Sequence, residues 1–136
     1  MKITLCGSMH FSKEMLEAKA KLEEMGHCVL IPPTIQDCLV NPELTMNIEY
    51  ALKNDVQKDH FNKIAESDAI LVLNYPKNGI QGYIGGSVLM EMAVASHLNK
   101  KIFLLYPAPK IEDIRYSVEI QLTKPIILNG NLNLIG

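Results

Sequence analysis

The sequence predicts an α/β fold in which a doubly wound parallel sheet of five strands lies between two layers of helices, a three-layer α/β/α architecture. Five short apolar runs alternate with segments of helical pattern along the chain. Runs that are apolar throughout, rather than at every second position, are typical of parallel strands that are buried on both faces. Among Rossmann-like folds, the flavodoxin-like strand order 2-1-3-4-5 suits five such strands.

The first third of the chain predicts one βαβ unit. Lys2–Cys6 is a strand-like run that ends at Gly7–Ser8. Apolar residues then recur at helical spacing over Ser12–Met25, which begins with a good N-cap serine, and Gly26 follows as a C′ glycine. His27–Ile31 predicts the second strand, and a right-handed crossover makes it parallel to the first.

The middle of the chain predicts a loop, a long helical segment and the third strand. Thr34–Leu44 has polar and proline-bounded ends and is expected to form a loop over the sheet edge. Thr45–Glu66 has a helical pattern with a break near Asn54–Asp55, and Ala69–Leu73 has the length of a buried strand. The inward face of the helical segment is expected to comprise Ile48, Ala51, Leu52, Val56, Phe61, Ile64 and Ala65.

The remaining elements continue the same alternation. Val88–Leu98 has a helical pattern, and the nearly all-apolar Lys101–Leu105 predicts the fourth strand. Glu112–Leu122 is expected to be a short helix, and Ile126–Leu128 a fifth strand or extended segment. The tail Asn129–Gly136 is rich in asparagine and glycine, and its structure stays open at this point.

The composition indicates a single globular domain, residues 1–136, with 48% apolar and 21% charged residues. A net charge of −2 and a pI near 6.1 argue against a nucleic-acid-binding surface. Cys6 and Cys28 lie in apolar runs and are expected to be core residues in a reducing compartment, since no CxxC spacing occurs. Without a signal-peptide pattern or a membrane-length apolar run, we expect a cytoplasmic protein that does not bind membranes.

Two glycine-bearing turns are predicted to meet at one crevice. In the 2-1-3-4-5 order, ligands bind at the switch point between the carboxyl ends of strands one and three. Gly7 and Ser8 follow strand one, and a loop that ends in Gly85, Gly86 and Ser87 follows strand three. Their hydroxyls and backbone amides fit a phosphate or ribose site, although each turn alone is also explained by turn geometry and N-capping.

Glu91 is the candidate catalytic residue, because it is an acid in an otherwise apolar stretch of the helix after this loop. A carboxylate is unfavourable among apolar side chains unless something pairs with it or uses it. Three interpretations are open: a nucleophile or acid/base, a structural acid paired with a lysine, or an exposed residue on a helix of different phase. Its position near the crevice favours catalysis.

The histidines carry less information. His10 follows Ser8 closely enough to line the same pocket as a substrate contact, although an ordinary loop residue fits as well. His60, beside Asp59, lies on a polar helical segment and is expected at the surface. The spacing of histidines, cysteines and acids does not predict a metal site.

Several segments carry a resemblance to a known family. They are the Gly-Ser turn after strand one, the segment IAESDAILVLN, the glycine loop that follows it, and the segments GGSVLMEMAVA and KKIFLL. The resemblance covers roughly Lys2 to Leu105. The chain resembles the nucleoside 2-deoxyribosyltransferase family and its relatives that hydrolyse the N-glycosidic bond of nucleoside 5′-monophosphates. The family's typical turn into a helix with a glutamate has its counterpart in Gly86–Glu91, and its next strand in Lys100–Phe103.

The resemblance implies a site and a reaction. Glu91 would attack the anomeric carbon of a nucleoside or nucleotide, and the glycosyl-enzyme would pass the sugar to another base or to water. Ser8 and Ser87 would hold the 5′-phosphate, with Gly7 and Gly86 as further contacts. This chemistry requires no metal or organic cofactor. Family members often complete the site across a subunit interface, which implies a homo-oligomer, either a dimer or a tetramer.

A second hypothesis is a non-catalytic nucleotide-binding sensor of the same fold. Gly85 and His60 stand where the transferases carry aspartates, and the loss of two acids favours binding without turnover. A flavodoxin-like phosphoacceptor or FMN carrier is a third hypothesis. A phosphoacceptor needs an acidic cluster at strand one, and an FMN carrier needs a pair of aromatic-rich loops. The chain lacks both features.

Overall fold

The five-stranded parallel sheet predicted from the sequence is present. The computed structural model describes residues 1–136, and its strands lie in the order β2-β1-β3-β4-β5 with every neighbouring pair parallel. The strands are β1 (Lys2–Cys6), β2 (Cys28–Leu30), β3 (Ala69–Val72), β4 (Lys101–Leu104) and β5 (Ile126–Ile127). This is the flavodoxin-like, Rossmann-like order, and its switch point lies between β1 and β3.

Six α-helices and three 3-10 segments connect the strands and flank the sheet. The helices are α1 (Ser12–Glu24), α2 (Ile35–Val40), α3 (Ile48–Lys53), α4 (Val56–Glu66), α5 (Gly86–His97) and α6 (Ser117–Leu122). The 3-10 segments are Met9–Phe11, Pro42–Met46 and Leu132–Leu134. No helix in the structure combines the length and the apolar character needed to span a lipid bilayer.

Two apolar cores form, one on each face of the sheet. Along β3, Ala69 and Leu71 pack into the core beneath α1, while Ile70 and Val72 pack into the core beneath α4, α5 and α6. This alternation follows from the two-residue period of a strand. Cys6, the last residue of β1, belongs to the second core, so its thiol lies on the same side of the sheet as α4 and α5.

The segment between β2 and β3 is more helical than the sequence predicts. The expected loop Thr34–Leu44 contains α2 and the start of a 3-10 segment. The break predicted near Asn54–Asp55 is confirmed, because Asp55 has a φ of 49°, which separates α3 from α4. Left-handed backbone conformation cannot continue a right-handed helix.

Several predictions of burial are wrong. Ile48 and Leu52, expected on an inward helical face, are each 75% exposed, because α3 packs mainly against α4 rather than on the sheet. Ala65, expected on the same face, is also exposed, because α4 buries the side that carries His60 and Ile64. Cys28 is exposed rather than part of the core, since it begins the edge strand β2. His60, expected at the surface, is only 4% exposed.

Candidate functional site

A cavity of about 380 Å³ lies at the switch point of the sheet. Its wall includes six of the seven residues that the sequence singles out as catalytic or substrate-binding: Gly7, Ser8, Gly85, Gly86, Ser87 and Glu91. The two glycine-bearing turns therefore meet, as predicted, where open α/β sheets bind ligands. The volume is in the range of small-molecule sites.

His10 is the predicted residue that does not line this cavity. It is exposed on the first 3-10 segment, where its ring packs edge-on against Phe11 with 5.3 Å between ring centroids. Its backbone N–H nevertheless donates to Ser8 Oγ at 3.2 Å, while the Phe11 side chain itself lines the cavity. His10 thus contributes a backbone contact behind Ser8, and its imidazole points elsewhere.

Glu91 lies in the second turn of α5, with its side chain 14% exposed and facing the cavity. Burial raises the pKa of this carboxyl from 4.5 to about 7, and a hydrogen bond from the Cys6 thiol partly opposes the shift. Glu91 is the only carboxylic acid among the residues that line the cavity. At neutral pH the group is thus divided between an acid and a carboxylate.

His60 on α4 is a close polar neighbour of Glu91, with 3.5 Å between Nε2 and Oε1. Burial lowers the pKa of this imidazole from 6.5 to about 4, helped by the positive charge of Lys63 and opposed by Asp59. The imidazole is therefore neutral at pH 7, so the contact with Glu91 is not an ion pair.

Cys6 completes a buried cluster behind the cavity wall. Its Sγ lies 3.5 Å from His60 Nε2, and one ligand-type atom from each of Cys6, His60 and Glu91 lies within 4.8 Å of the others. Burial, followed by the negative charge of Glu91, raises the pKa of the Cys6 thiol well above its usual value. The thiol is consequently protonated and is not an activated nucleophile in this environment.

Lys77 provides the only lysine or arginine side chain on the cavity wall. Its Nζ donates to Ser8 Oγ at 3.1 Å and lies 5.3 Å from the centre of the Tyr83 ring. Because Ser8 Oγ already accepts from Lys77 and from a backbone N–H, its own hydroxyl proton is available to a ligand. Lys77 precedes the Asn-Gly turn of a short hairpin, a pattern that the sequence contains and the prediction missed.

The N-terminus of α5 opens towards the same cavity. No side chain caps this helix, whose preceding residue Gly85 has an extended backbone. The backbone N–H groups of Gly86 and Ser87, in the first turn, therefore have no hydrogen-bond acceptor within the helix. They lie at the positive end of the helix dipole. Together with Ser8 and Lys77, they form a set of donors suited to an anion.

Two glycines allow the turns to approach closely. A Cβ on Gly7 would lie 3.1 Å from the Met15 side chain and 3.3 Å from the Leu73 carbonyl. Gly82 has a φ of +69°, and a Cβ there would collide with the carbonyl of Pro107. The absence of a side chain lets the turn at Gly7 approach the end of β3, and lets the loop at Gly82 approach the segment that follows β4.

Neither a scan against protein-family models nor a search of curated proteins finds a match to this chain. The geometry defines the class: a doubly wound α/β domain with a ligand-sized cavity at its switch point, one carboxylic acid, and one lysine beside an uncapped helix N-terminus.

Proposed function

We propose that this protein cleaves or transfers the N-glycosidic bond of a nucleoside or nucleoside 5′-monophosphate, with Glu91 as the nucleophile. The observation that carries the proposal is a solitary buried carboxyl group on the wall of a ligand-sized cavity, a few residues beyond the uncapped N-terminus of α5. The sequence resemblance to the nucleoside 2-deoxyribosyltransferase family supports the same role for the same residue.

In the proposed reaction, the ionised Glu91 attacks the anomeric carbon of the sugar. The bond from that carbon to the base breaks, its electron pair goes to the base nitrogen, and the base takes up a proton. Water or a second base then attacks the anomeric carbon and releases Glu91 as a carboxylate. The cavity wall offers no second carboxyl group, so the proton would come from solvent or from another polar group of the wall, such as the Tyr83 hydroxyl.

The hydrogen-bond donors at one end of the cavity support a phosphorylated substrate. Lys77 supplies a positive charge, Ser8 a hydroxyl, and Gly86 and Ser87 backbone amides. A phosphate accepts hydrogen bonds from this combination of donors, and charge-assisted hydrogen bonds are roughly twice as strong as neutral ones. We therefore expect nucleoside 5′-monophosphates to be better substrates than nucleosides.

The test measures base release from a panel of ribo- and deoxyribonucleosides and their 5′-monophosphates. Wild type is compared with Glu91→Gln, and Glu24→Gln, at an exposed position on α1, is the matched control. Release by wild type and Glu24→Gln but not by Glu91→Gln is the expected result. Equal release by Glu91→Gln would remove the nucleophile from the proposal.

A non-catalytic nucleotide sensor is the second candidate function. It is favoured by the single carboxyl group on the cavity wall, because glycoside cleavage commonly uses a pair of them. Calorimetric binding of a nucleotide without base release, weakened by Lys77→Met, would support this alternative over catalysis.

We also propose a homo-oligomer, a dimer or a tetramer. Three apolar side chains between residues 46 and 52, those of Met46, Ile48 and Leu52, are at least 75% exposed, and Met46 lines the cavity. Apolar side chains at such exposure favour burial against another surface. Light scattering coupled to gel filtration tests this, and a purely monomeric mass would contradict it.

A further inference from the structure

We propose that Cys6, His60 and Glu91 form a zinc-binding site behind the cavity wall, with the fourth coordination position open to the cavity. The three ligand atoms come from the end of β1, from α4 and from α5. The inference goes beyond the proposed function, since binding of the metal needs neither a nucleotide nor turnover.

The spacing of the ligand atoms fits tetrahedral zinc. Zn–S bonds of about 2.3 Å and Zn–N or Zn–O bonds of about 2.0–2.1 Å place the sulfur about 3.5 Å from the nitrogen, and the nitrogen about 3.4 Å from the oxygen. In the structure, Cys6 Sγ lies 3.5 Å from His60 Nε2, and His60 Nε2 lies 3.5 Å from Glu91 Oε1. The Cys6 sulfur and the Glu91 ligand oxygen lie within 4.8 Å of each other, compared with about 3.5 Å in an ideal tetrahedral site.

The charges of the cluster also favour a divalent cation. A thiolate and a carboxylate are each unfavourable in a desolvated site, but a dication bound between them makes the set neutral. Binding of Zn²⁺ displaces the thiol proton of Cys6, and that of Glu91 where it is protonated, to solvent. The neutral His60 ring needs no proton loss to offer a nitrogen lone pair.

The donor set selects the class of metal. One sulfur, one nitrogen and one carboxylate oxygen suit zinc, whereas magnesium and calcium prefer oxygen ligands throughout. His60 and Glu91 line the cavity and leave a path for the ion and for a bound water, while Cys6 lies behind them in the core. Three protein ligands and an open position are the arrangement of an accessible zinc site.

A bound zinc ion would act on the proposed reaction through Glu91. The lone pair that would attack the anomeric carbon would instead be held by the metal, so Zn²⁺ should inhibit base release and a chelator should restore it. This consequence, unlike the binding itself, rests on the proposed function.

The experiment titrates the full-length, chelator-treated protein with Zn²⁺ by calorimetry and with Co²⁺ by absorption spectroscopy. We expect one ion per chain, and for Co²⁺ a thiolate-to-metal charge-transfer band together with the intense visible bands of tetrahedral coordination. Cys6→Ser and Glu91→Gln should each weaken binding by about 100-fold or more, because loss of an outer-sphere partner alone costs roughly 10–100-fold. Cys28→Ser, at an exposed position, is the matched control and should bind like wild type.

Two results would overturn the proposal: no binding to wild type, or binding that Cys6→Ser and Glu91→Gln leave unchanged. Because Cys6 is in the core, its variant is checked by circular dichroism. Glu91→Gln, whose side chain faces the cavity, repeats the test if Cys6→Ser fails to fold. Metal binding is measured in the absence of substrate, and base release is measured in the presence of a chelator. Failure of one proposal can therefore be distinguished from failure of the other.

Discussion

Replacing Glu91 by glutamine should change how the free energy of unfolding depends on pH, because the carboxyl group titrates differently in the folded and unfolded protein. Its pKa is raised from 4.5 to about 7 in the folded protein. A raised pKa means that the contribution of the group to stability is complete below about pH 4.5 and is lost as the pH rises through about 7. The difference between the two pKa values corresponds to about 3 kcal/mol, and at 14% exposure solvent screening reduces it little.

The contribution of His60 to stability depends on pH in the opposite direction. Its pKa is lowered from 6.5 to about 4, so its contribution is complete above about pH 6.5 and is lost as the pH falls through about 4. This difference also corresponds to about 3 kcal/mol. Between about pH 4.5 and 6.5 the two groups oppose each other, and the wild-type protein should show little net change from them. Glu91→Gln removes one of the two and should reveal the rise due to His60.

The assay is urea unfolding followed by circular dichroism, from pH 4 to pH 8.5, with a chelator present to exclude metal binding. The free energy of unfolding of Glu91→Gln, relative to wild type, should increase by about 3 kcal/mol across this range. Glu24→Gln, at an exposed position, controls for the loss of a carboxylate elsewhere. A difference between Glu91→Gln and wild type that does not change with pH would refute the reasoning.

Three further predictions concern catalysis, phosphate binding and the loop before α5. If base release is observed, its kcat/KM should rise with pH through about 7, because attack requires the ionised form of Glu91; a profile that falls with pH would indicate a general acid instead. Lys77→Met should raise the KM for nucleoside 5′-monophosphates by about 10–100-fold while changing that for nucleosides little, and equal losses for both would argue against a phosphate contact. Gly82→Ala should lower the free energy of unfolding by about 1–3 kcal/mol, because the new Cβ meets the Pro107 carbonyl. Gly79→Ala, with a similar positive φ but open space, should cost less in the same denaturant titration, and equal costs would contradict the steric argument.

The fold was predictable because the signals for it are local. Apolar runs without alternation indicate parallel strands buried on both faces, and β3, buried at all four positions, is the clearest case. The observed strand order is the common flavodoxin-like order that suits five such strands, and the right-handed crossover rule fixes the face on which each connecting helix lies. Element ends were less accurate, since α5 begins at Gly86 rather than Val88.

Helical burial in the segment between β2 and β3 was harder to predict. Ile48 and Leu52 on α3 have the spacing of an inward face, yet both are exposed. On α4, His60 is buried because it shares a face with Ile64, four residues later, which packs on the sheet. Apolar residues at helical spacing indicate that a helix has an apolar face, but only the tertiary packing shows which face of the helix is buried.

The candidate site divides in the same way. The sequence by itself determined that the turns with Gly7, Ser8 and Gly85–Ser87 meet at the switch point, and that Glu91 is an isolated acid beside them. Only the tertiary structure brought Cys6 and His60, 54 residues apart, into contact beside that acid. The physical reason is that turns and buried strands are local signals, and a common fold pattern then places the ends of the strands. Contacts between side chains of separate elements depend instead on how a strand and two helices pack, which no local pattern specifies.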